Sequence, residues 1–172
     1  MNSPRFAPPA LLACWRQLGL LLLLLAVISP KVLADGQPRI AVISDTNGRY
    51  GSTDYHLRVG IAINRIIALQ PDLVISTGDM VAGQKPSPKL SRQELEAMWR
   101  SFHQQIREPL EAAGIPVIMT PGNHDASAYS GFELERQLYS EYHRAHPPIF
   151  KPKADGAFPY YFSTQLAGVN LV

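Results

Sequence analysis

Residues 121–125, Pro-Gly-Asn-His-Asp, contain three chemically active side chains and follow the apolar run 115–119. The run is typical of a buried strand, and Pro-Gly supplies a turn after it. The amide oxygen of Asn123, the ring of His124 and the carboxylate of Asp125 can bind a metal ion, carry a proton or orient a neighbour. Taken alone, the segment is equally compatible with a simple turn at a strand end.

Two further apolar runs lead into carboxylates. Residues 39–44 are followed at once by Asp45, and residues 73–76 are followed within three residues by Asp79. Because ligands bind at the carboxyl ends of parallel strands, we expect Asp45, Asp79 and Asn123 to meet at one rim of a sheet. Carboxylate and amide oxygens suit hard or borderline divalent cations, so the pattern predicts a metal site.

The intervening segments predict helices, and thus an α/β fold with parallel strands joined by right-handed crossovers. Between the first two strands, apolar residues at helical spacing predict a helix that Pro71 closes. The predicted face of that helix consists of Leu57, Ile61, Ile66, Ile67 and Ala68. The Gly- and Pro-bearing segment 81–90 then predicts a loop over the site.

Ser91 and Glu94 have the spacing of a capping box and predict the start of a second helix. Its predicted buried stripe is Leu95, Trp99, Phe102 and Ile106. Pro109 is expected to kink or end it. Residues 132–143 predict a further helix, and residues 160–165 and 169–172 a hairpin turned at 167–168.

The motifs Asp45-x-Asn47, Gly78-Asp79 and Gly122-Asn123-His124-Asp125, each after a strand, resemble those of the calcineurin-like metallophosphoesterases. The resemblance spans residues 39–172 and implies the first half of an αββα sandwich. That half would contain parallel strands with crossover helices and the start of a second sheet. Asn47 stands where the family usually has histidine, and the chain stops at Val172, before two later histidine motifs of the family.

The resemblance implies two divalent metal ions, of Mn, Fe, Zn or Mg, and a phosphate mono- or diester substrate hydrolysed by a metal-activated hydroxide. It implies Asp79 as the bridging carboxylate, Asp45 and position 47 on the first metal, and Asn123 on the second. Because the amide of Asn47 is a harder donor than imidazole, we expect weaker binding of the first metal or a preference for Mn²⁺, Mg²⁺ or Ca²⁺.

The same resemblance implies catalytic roles for two residues of the third motif. His124 would protonate the leaving oxygen or stabilise charge in the transition state, and Asp125 would orient His124. His143 and His146 follow a helix rather than a strand, so we do not expect them to replace the later histidines. We therefore expect the chain to be a truncated form whose own activity is absent or feeble.

Residues 1–34 have the layout of a secretory signal peptide. Arg5 and Arg16 precede the apolar run 18–28, and a small-residue cleavage signal ends at Ala34. The run is shorter than the ~20 residues of a membrane span. We therefore expect the domain at residues 35–172 to be exported, periplasmic or extracellular, after cleavage near Ala34; an uncleaved amino-terminal anchor is the alternative.

Cleavage would change the charge of the protein. The chain has 16 basic and 14 acidic residues, and Arg5, Arg16 and Lys31 leave with the leader, so 13 basic residues remain and the net charge becomes −1. This composition gives no signal for a nucleic-acid surface. The single cysteine, Cys14, would also leave, so the exported domain would contain no disulfide.

Three functional interpretations follow. The first is an exported metallophosphoesterase, and the second is a catalytically inactive relative that binds a ligand or partner. The third, an unrelated α/β nucleotide-binding module, is disfavoured because neither G-x-G-x-x-G nor a Walker sequence follows the first strand. Arg49, in the polar loop 45–54, could pair with a phosphoryl group or simply be a solvated surface residue.

Overall fold

The computed structural model describes residues 37–153 and 156–172, and the expected signal peptide lies outside them. Among the described residues, no helix combines the length and apolar character needed to cross a membrane. The elements of this part of the chain are β1 (Ile40–Ile43), α1 (Leu57–Leu69), β2 (Leu73–Ser76), α2 (Arg92–Phe102), a π-helical segment (His103–Arg107), α3 (Glu108–Ala112), β3 (Val117–Met119), α4 (Asn123–Ala126), α5 (Glu133–Ala145), β4 (Thr164–Leu166) and β5 (Val169–Leu171).

The first three strands form a parallel sheet in the order β1-β2-β3. Ile43 lies opposite Ser76, and Ser76 lies opposite Met119, so the carboxyl ends of the strands are in register. The loops that leave these strands therefore start at one rim, as the sequence predicts. The prediction of a mixed α/β fold with a parallel sheet is confirmed.

The two faces of this sheet differ in their cover. One face carries Val74 and Val117, which belong to the hydrophobic core under the helices. On the other face the first strand is open, since Val42 is 64% exposed. Parallel sheets are usually covered on both faces. The hydrophobic core under the three strands lies on the sheet face that packs against the helices.

Three of the five residues predicted for the buried face of α1 are exposed, whereas Ile66 and Ile67 pack on the core. Leu57 and Ile61 are 78% and 59% exposed, and Ala68 is also exposed. The residues that pack on the core are Val59, Ile63, Ile66 and Ile67. These residues recur at i, i+4, i+7 and i+8, whereas Leu57 lies about 200° around the helix axis from the start of that stripe. The helix carries two apolar faces, and only packing on the sheet selects between them.

The second helix follows the prediction closely. Ser91 Oγ accepts a hydrogen bond from Glu94 N at 3.3 Å, and Glu94 Oε2 accepts one from Ser91 N at 2.8 Å, which completes the capping box. The four residues of the predicted stripe are buried: Leu95, Trp99, Phe102 and Ile106. Trp99 stacks on Tyr142 of α5 with ring centroids 4.6 Å apart.

Pro109 does not end the helical run. The run passes through the π-helical segment His103–Arg107, where Glu108 N donates to His103 O, and continues as α3. Pro109 thus falls in the first turn of α3. The wider π-helical turn directly precedes the segment that contains the proline.

The carboxyl-terminal elements differ from the prediction mainly in their bounds. Helix α5 begins one residue later than predicted and extends to Ala145. The hairpin forms as antiparallel β4 and β5, with Thr164 opposite Leu171, but its first strand starts at Thr164 rather than at residue 160. Ala167 and Gly168 have φ values of 49° and 77°, as a tight two-residue hairpin turn requires.

His143 is a buried residue of α5 and is 3% exposed. Its Nδ1 lies 2.9 Å from Tyr139 O, and because a carbonyl can only accept, Nδ1 must carry the proton. Burial lowers the pKa of His143 to about 4, although the bond to the Tyr139 carbonyl acts in the opposite direction. The native state therefore holds this ring in its neutral form.

We expect His143 to contribute a fall of about 2 kcal/mol in the free energy of unfolding between pH 7 and pH 4.5. In the unfolded chain an imidazole titrates near pH ~6.5, so below that pH the unfolded state binds a proton that the native state excludes. Urea unfolding at the two pH values checks this. His143→Gln and His143→Phe should both reduce the fall, and an unchanged pH dependence in both would contradict it.

Candidate active site at the carboxyl ends of the strands

Three loops meet beyond the carboxyl ends of β1, β2 and β3. Asp45 N donates to Gly78 O at 3.2 Å, and Asn47 N donates to Asp79 O at 3.1 Å, which joins the first loop to the second. His124 N donates to Asp79 Oδ1 at 3.1 Å, which joins the third loop to the second. The structure thus brings the backbones of the three predicted motifs together around Asp79.

Two glycines permit this close approach. A Cβ atom at Gly78 would lie 2.5 Å from Gly122 N, and a Cβ atom at Gly122 would overlap the carboxylate and the backbone nitrogen of Asp79. Gly78 also has a φ of +113°, a backbone conformation that residues with a Cβ atom rarely adopt. Gly122 is therefore required because a side chain would have no space there. Gly78 is required both for space and for its backbone conformation.

Two aspartates of the site have strained backbones. Asp45 has φ 52° and Asp79 has φ 54°, in the left-handed region that few non-glycine residues enter. The backbone hydrogen bonds between the loops hold both residues there, and Asp45 also accepts a hydrogen bond from Ser44 Oγ through its carboxylate. Such strain persists where the surrounding structure imposes it, and it is concentrated at functional sites.

The two predicted amide ligands are held through their nitrogen atoms. Asn47 Nδ2 donates to Val81 O at 3.4 Å, and Asn123 Nδ2 donates to Gln84 Oε1 at 2.6 Å. Gln84 is fixed in turn, because its Nε2 donates to Ser127 Oγ at 2.8 Å. With the nitrogens engaged in these bonds, the amide oxygens are the atoms left for coordination.

Gln84 is a residue of the site that sequence reasoning missed. The segment 81–90 predicted a loop over the site, but no motif distinguished Gln84 within it. Its contact with Asn123 joins residues 39 positions apart in the chain. Local sequence contains no signal for such a pair.

His124 is half-buried and lies beside an aromatic ring. Its ring centroid is 5.4 Å from that of Tyr50, with the planes inclined by 40°. Its Nδ1 is buried and has no hydrogen-bond partner among residues 37–153 and 156–172. The backbone of His124 is fixed at both ends, since its N–H donates to Asp79 and its carbonyl accepts from Gly83 N at 3.1 Å.

Asp125 is fully buried and binds backbone rather than the imidazole of His124. Its Oδ1 accepts from Met80 N and Val81 N, both at 2.9 Å, and its Oδ2 accepts from Gly122 N at 2.9 Å. Burial raises the pKa of Asp125 to about 6, and the hydrogen bonds from Val81 and Gly122 oppose this shift. The structure places Asp125 as a clamp between the second and third loops.

The donor set is rich in oxygen. Among the described residues, no three His, Cys, Asp or Glu side chains gather as a metal-binding group. The predicted ligands are two carboxylates, of Asp45 and Asp79, and two amides, of Asn47 and Asn123. Thr46 lies between Asp45 and Asn47 in the sequence, and its buried hydroxyl has no hydrogen-bond partner in the described part of the chain. These groups fit a hard divalent cation by their chemistry.

The family model for calcineurin-like phosphoesterases matches residues 38–168. The chain therefore belongs to the calcineurin-like phosphoesterase family. A search of curated proteins finds no match to this chain. Members of this family generally use divalent metals and act on phosphate esters, which is the class of chemistry that the sequence motifs indicate.

We expect Gly122→Ala to lower the free energy of unfolding by about 2 kcal/mol, because the added methyl group overlaps Asp79. Gly60→Ala is the matched control. A Cβ atom at Gly60, in α1, would meet no atom within 4 Å, so that substitution should raise the free energy by about 1 kcal/mol through helix propensity. Urea unfolding curves measure both. Equal effects of the two substitutions would show that the loops do not touch at Gly122.

Proposed function

We propose that this protein is an exported, metal-dependent hydrolase of phosphate mono- or diesters. The observation that carries the proposal is the junction at Asp79, whose backbone carbonyl accepts from Asn47 and whose carboxylate accepts from His124 N. This junction supports a common site for residues that lie far apart in the chain. Strained backbone at both Asp45 and Asp79 supports a functional origin for the arrangement.

In this proposal Asp79 would contribute to the binding of both divalent cations, Asp45 and Asn47 would hold the first, and Asn123 would hold the second. When bound, the cations supply charge neutralisation at the phosphoryl group and lower the pKa of the attacking water. Their identity among Mn, Fe, Zn and Mg is open. The oxygen donors of this chain favour Mn²⁺ or Mg²⁺ over Zn²⁺.

His124 then acts on the leaving oxygen. Its backbone is anchored to Asp79 and to Gly83, so the same contacts that join the loops also hold the residue that carries the imidazole. The ring donates a proton to the leaving oxygen as the ester bond breaks, or stabilises the charge that develops there. Asp125 contributes indirectly, because its carboxylate holds Gly122 against the loop of Asp79.

Export is part of the proposal. It is supported by the apolar run 18–28, the basic residues before it and the small residues that end at Ala34. Amino-terminal sequencing of the secreted protein should find a start near Asp35. A protein retained with residues 1–34 intact would instead favour the amino-terminally anchored form.

We expect Mn²⁺ at saturating concentration to raise the unfolding temperature by about 5 °C, because a ligand of the native state stabilises it by mass action. Asp79→Asn should abolish this rise, since it removes the proposed bridging charge but keeps an oxygen to accept from His124 N. Asp54→Asn is the matched control, in an exposed part of the loop that follows β1. Calorimetric unfolding with and without metal measures the effect, and a rise that survives Asp79→Asn would contradict the proposal.

Turnover of p-nitrophenyl phosphate separates a hydrolase from a catalytically inactive relative. A metal-dependent rate, however small, that Asp79→Asn abolishes would support hydrolysis. Metal binding without any such rate would support the binding protein.

A titration with Mn²⁺ and Zn²⁺ tests the role of position 47. Asn47→His should shift the relative affinity of the protein from Mn²⁺ towards Zn²⁺, because imidazole is the softer donor. An unchanged ratio of the two affinities would exclude position 47 from the metal site.

A further inference from the structure

Tyr50 stands beside the site on a well-defined turn. Ser52 N donates to Arg49 O at 2.9 Å, which closes a four-residue turn with Tyr50 and Gly51 at its centre. Gly51 has φ +77°, as position i+2 of a type II turn requires. The turn is also tied to the loop after β2, because Gly51 N donates to Ala82 O at 3.3 Å. Tyr50 is therefore presented by a fixed backbone.

The ring of Tyr50 is directed towards His124 and is still open to solvent. Tyr50 is 49% exposed, and its ring centroid lies 5.4 Å from that of His124 at an inclination of 40°. An exposed aromatic ring on a fixed turn can stack on a planar group with little ordering cost. Because the ring of Tyr50 lies beside the imidazole of His124, any substrate group that contacts the imidazole is also close to the ring of Tyr50.

We propose that Tyr50 is a specificity-determining residue that stacks on an aromatic leaving group, so that aryl esters of phosphate are the preferred substrate class. This inference rests on the proposed function, because it takes His124 as the residue that faces the leaving oxygen. A ring about 5 Å from that imidazole reaches the group attached directly to the ester oxygen, since aromatic pairs associate at centroid distances of about 4.5–7 Å. A small alkyl group on the same oxygen offers no planar face.

Two inert ligands test this directly. Benzylphosphonate is the isostere of phenyl phosphate and ethylphosphonate that of methyl phosphate, each with a methylene group in place of the ester oxygen. In the presence of Mn²⁺, we expect the protein to bind benzylphosphonate about tenfold more tightly than ethylphosphonate, within the range of aromatic stacking. Tyr50→Leu should bring this ratio close to one through a weaker affinity for benzylphosphonate alone, whereas Tyr50→Phe should preserve it.

Tyr161→Leu is the matched control, because Tyr161 is a similarly exposed tyrosine, 68%, of the carboxyl-terminal segment. It should leave the ratio unchanged. A Tyr50→Leu variant that weakens both ligands equally would show a structural role and overturn the proposal, as would a wild-type ratio near one or the absence of binding by both ligands. If Mn²⁺ still stabilises the protein through Asp79 in those cases, the stacking role alone fails; if that stabilisation is also absent, the proposed function fails with it.

Discussion

The site depends on one residue, Asp79, held in a left-handed backbone conformation between two neighbouring loops. Its carbonyl receives the N–H of Asn47 and its carboxylate receives that of His124, so a single residue joins the ends of all three parallel strands. The conformation costs on the order of 1 kcal/mol or more, and the backbone bonds around it hold it in place. The glycines at positions 78 and 122 allow the close approach, because a Cβ atom at either would overlap the neighbouring loop.

A second tier of contacts keeps this junction rigid. Asp125, buried and joined to three backbone N–H groups, secures the third loop to the segment that follows Asp79. Gln84 does the same for Asn123, and is itself held by Ser127. A buried carboxylate is costly unless its oxygens are satisfied, and here the backbone satisfies them. The acidic residue of the third motif is thus an organiser of the loops in this structure.

Much of the fold could be predicted because its signals are local. Short apolar runs predicted β1, β2 and β3, and the Ser91–Glu94 spacing predicted the start of α2. Prediction failed where two local answers competed. Helix α1 has two apolar faces, and the tertiary contacts of Ile63 rather than any periodicity decided which one is buried. Pro109 did not end the helical run, which passes through the π-helical segment and continues as α3.

The sequence by itself indicated the family and predicted the chemical character of the candidate site, because the residue types of the three motifs, and their places directly after apolar runs, can be seen in the chain itself. Only the tertiary structure decided what surrounds those residues. It brought Gln84 to Asn123, turned Asp125 towards backbone N–H groups and set Tyr50 beside His124. These contacts join positions tens of residues apart, and their partners are selected by the register of the strands and the paths of the loops. No local pattern in the chain encodes that selection.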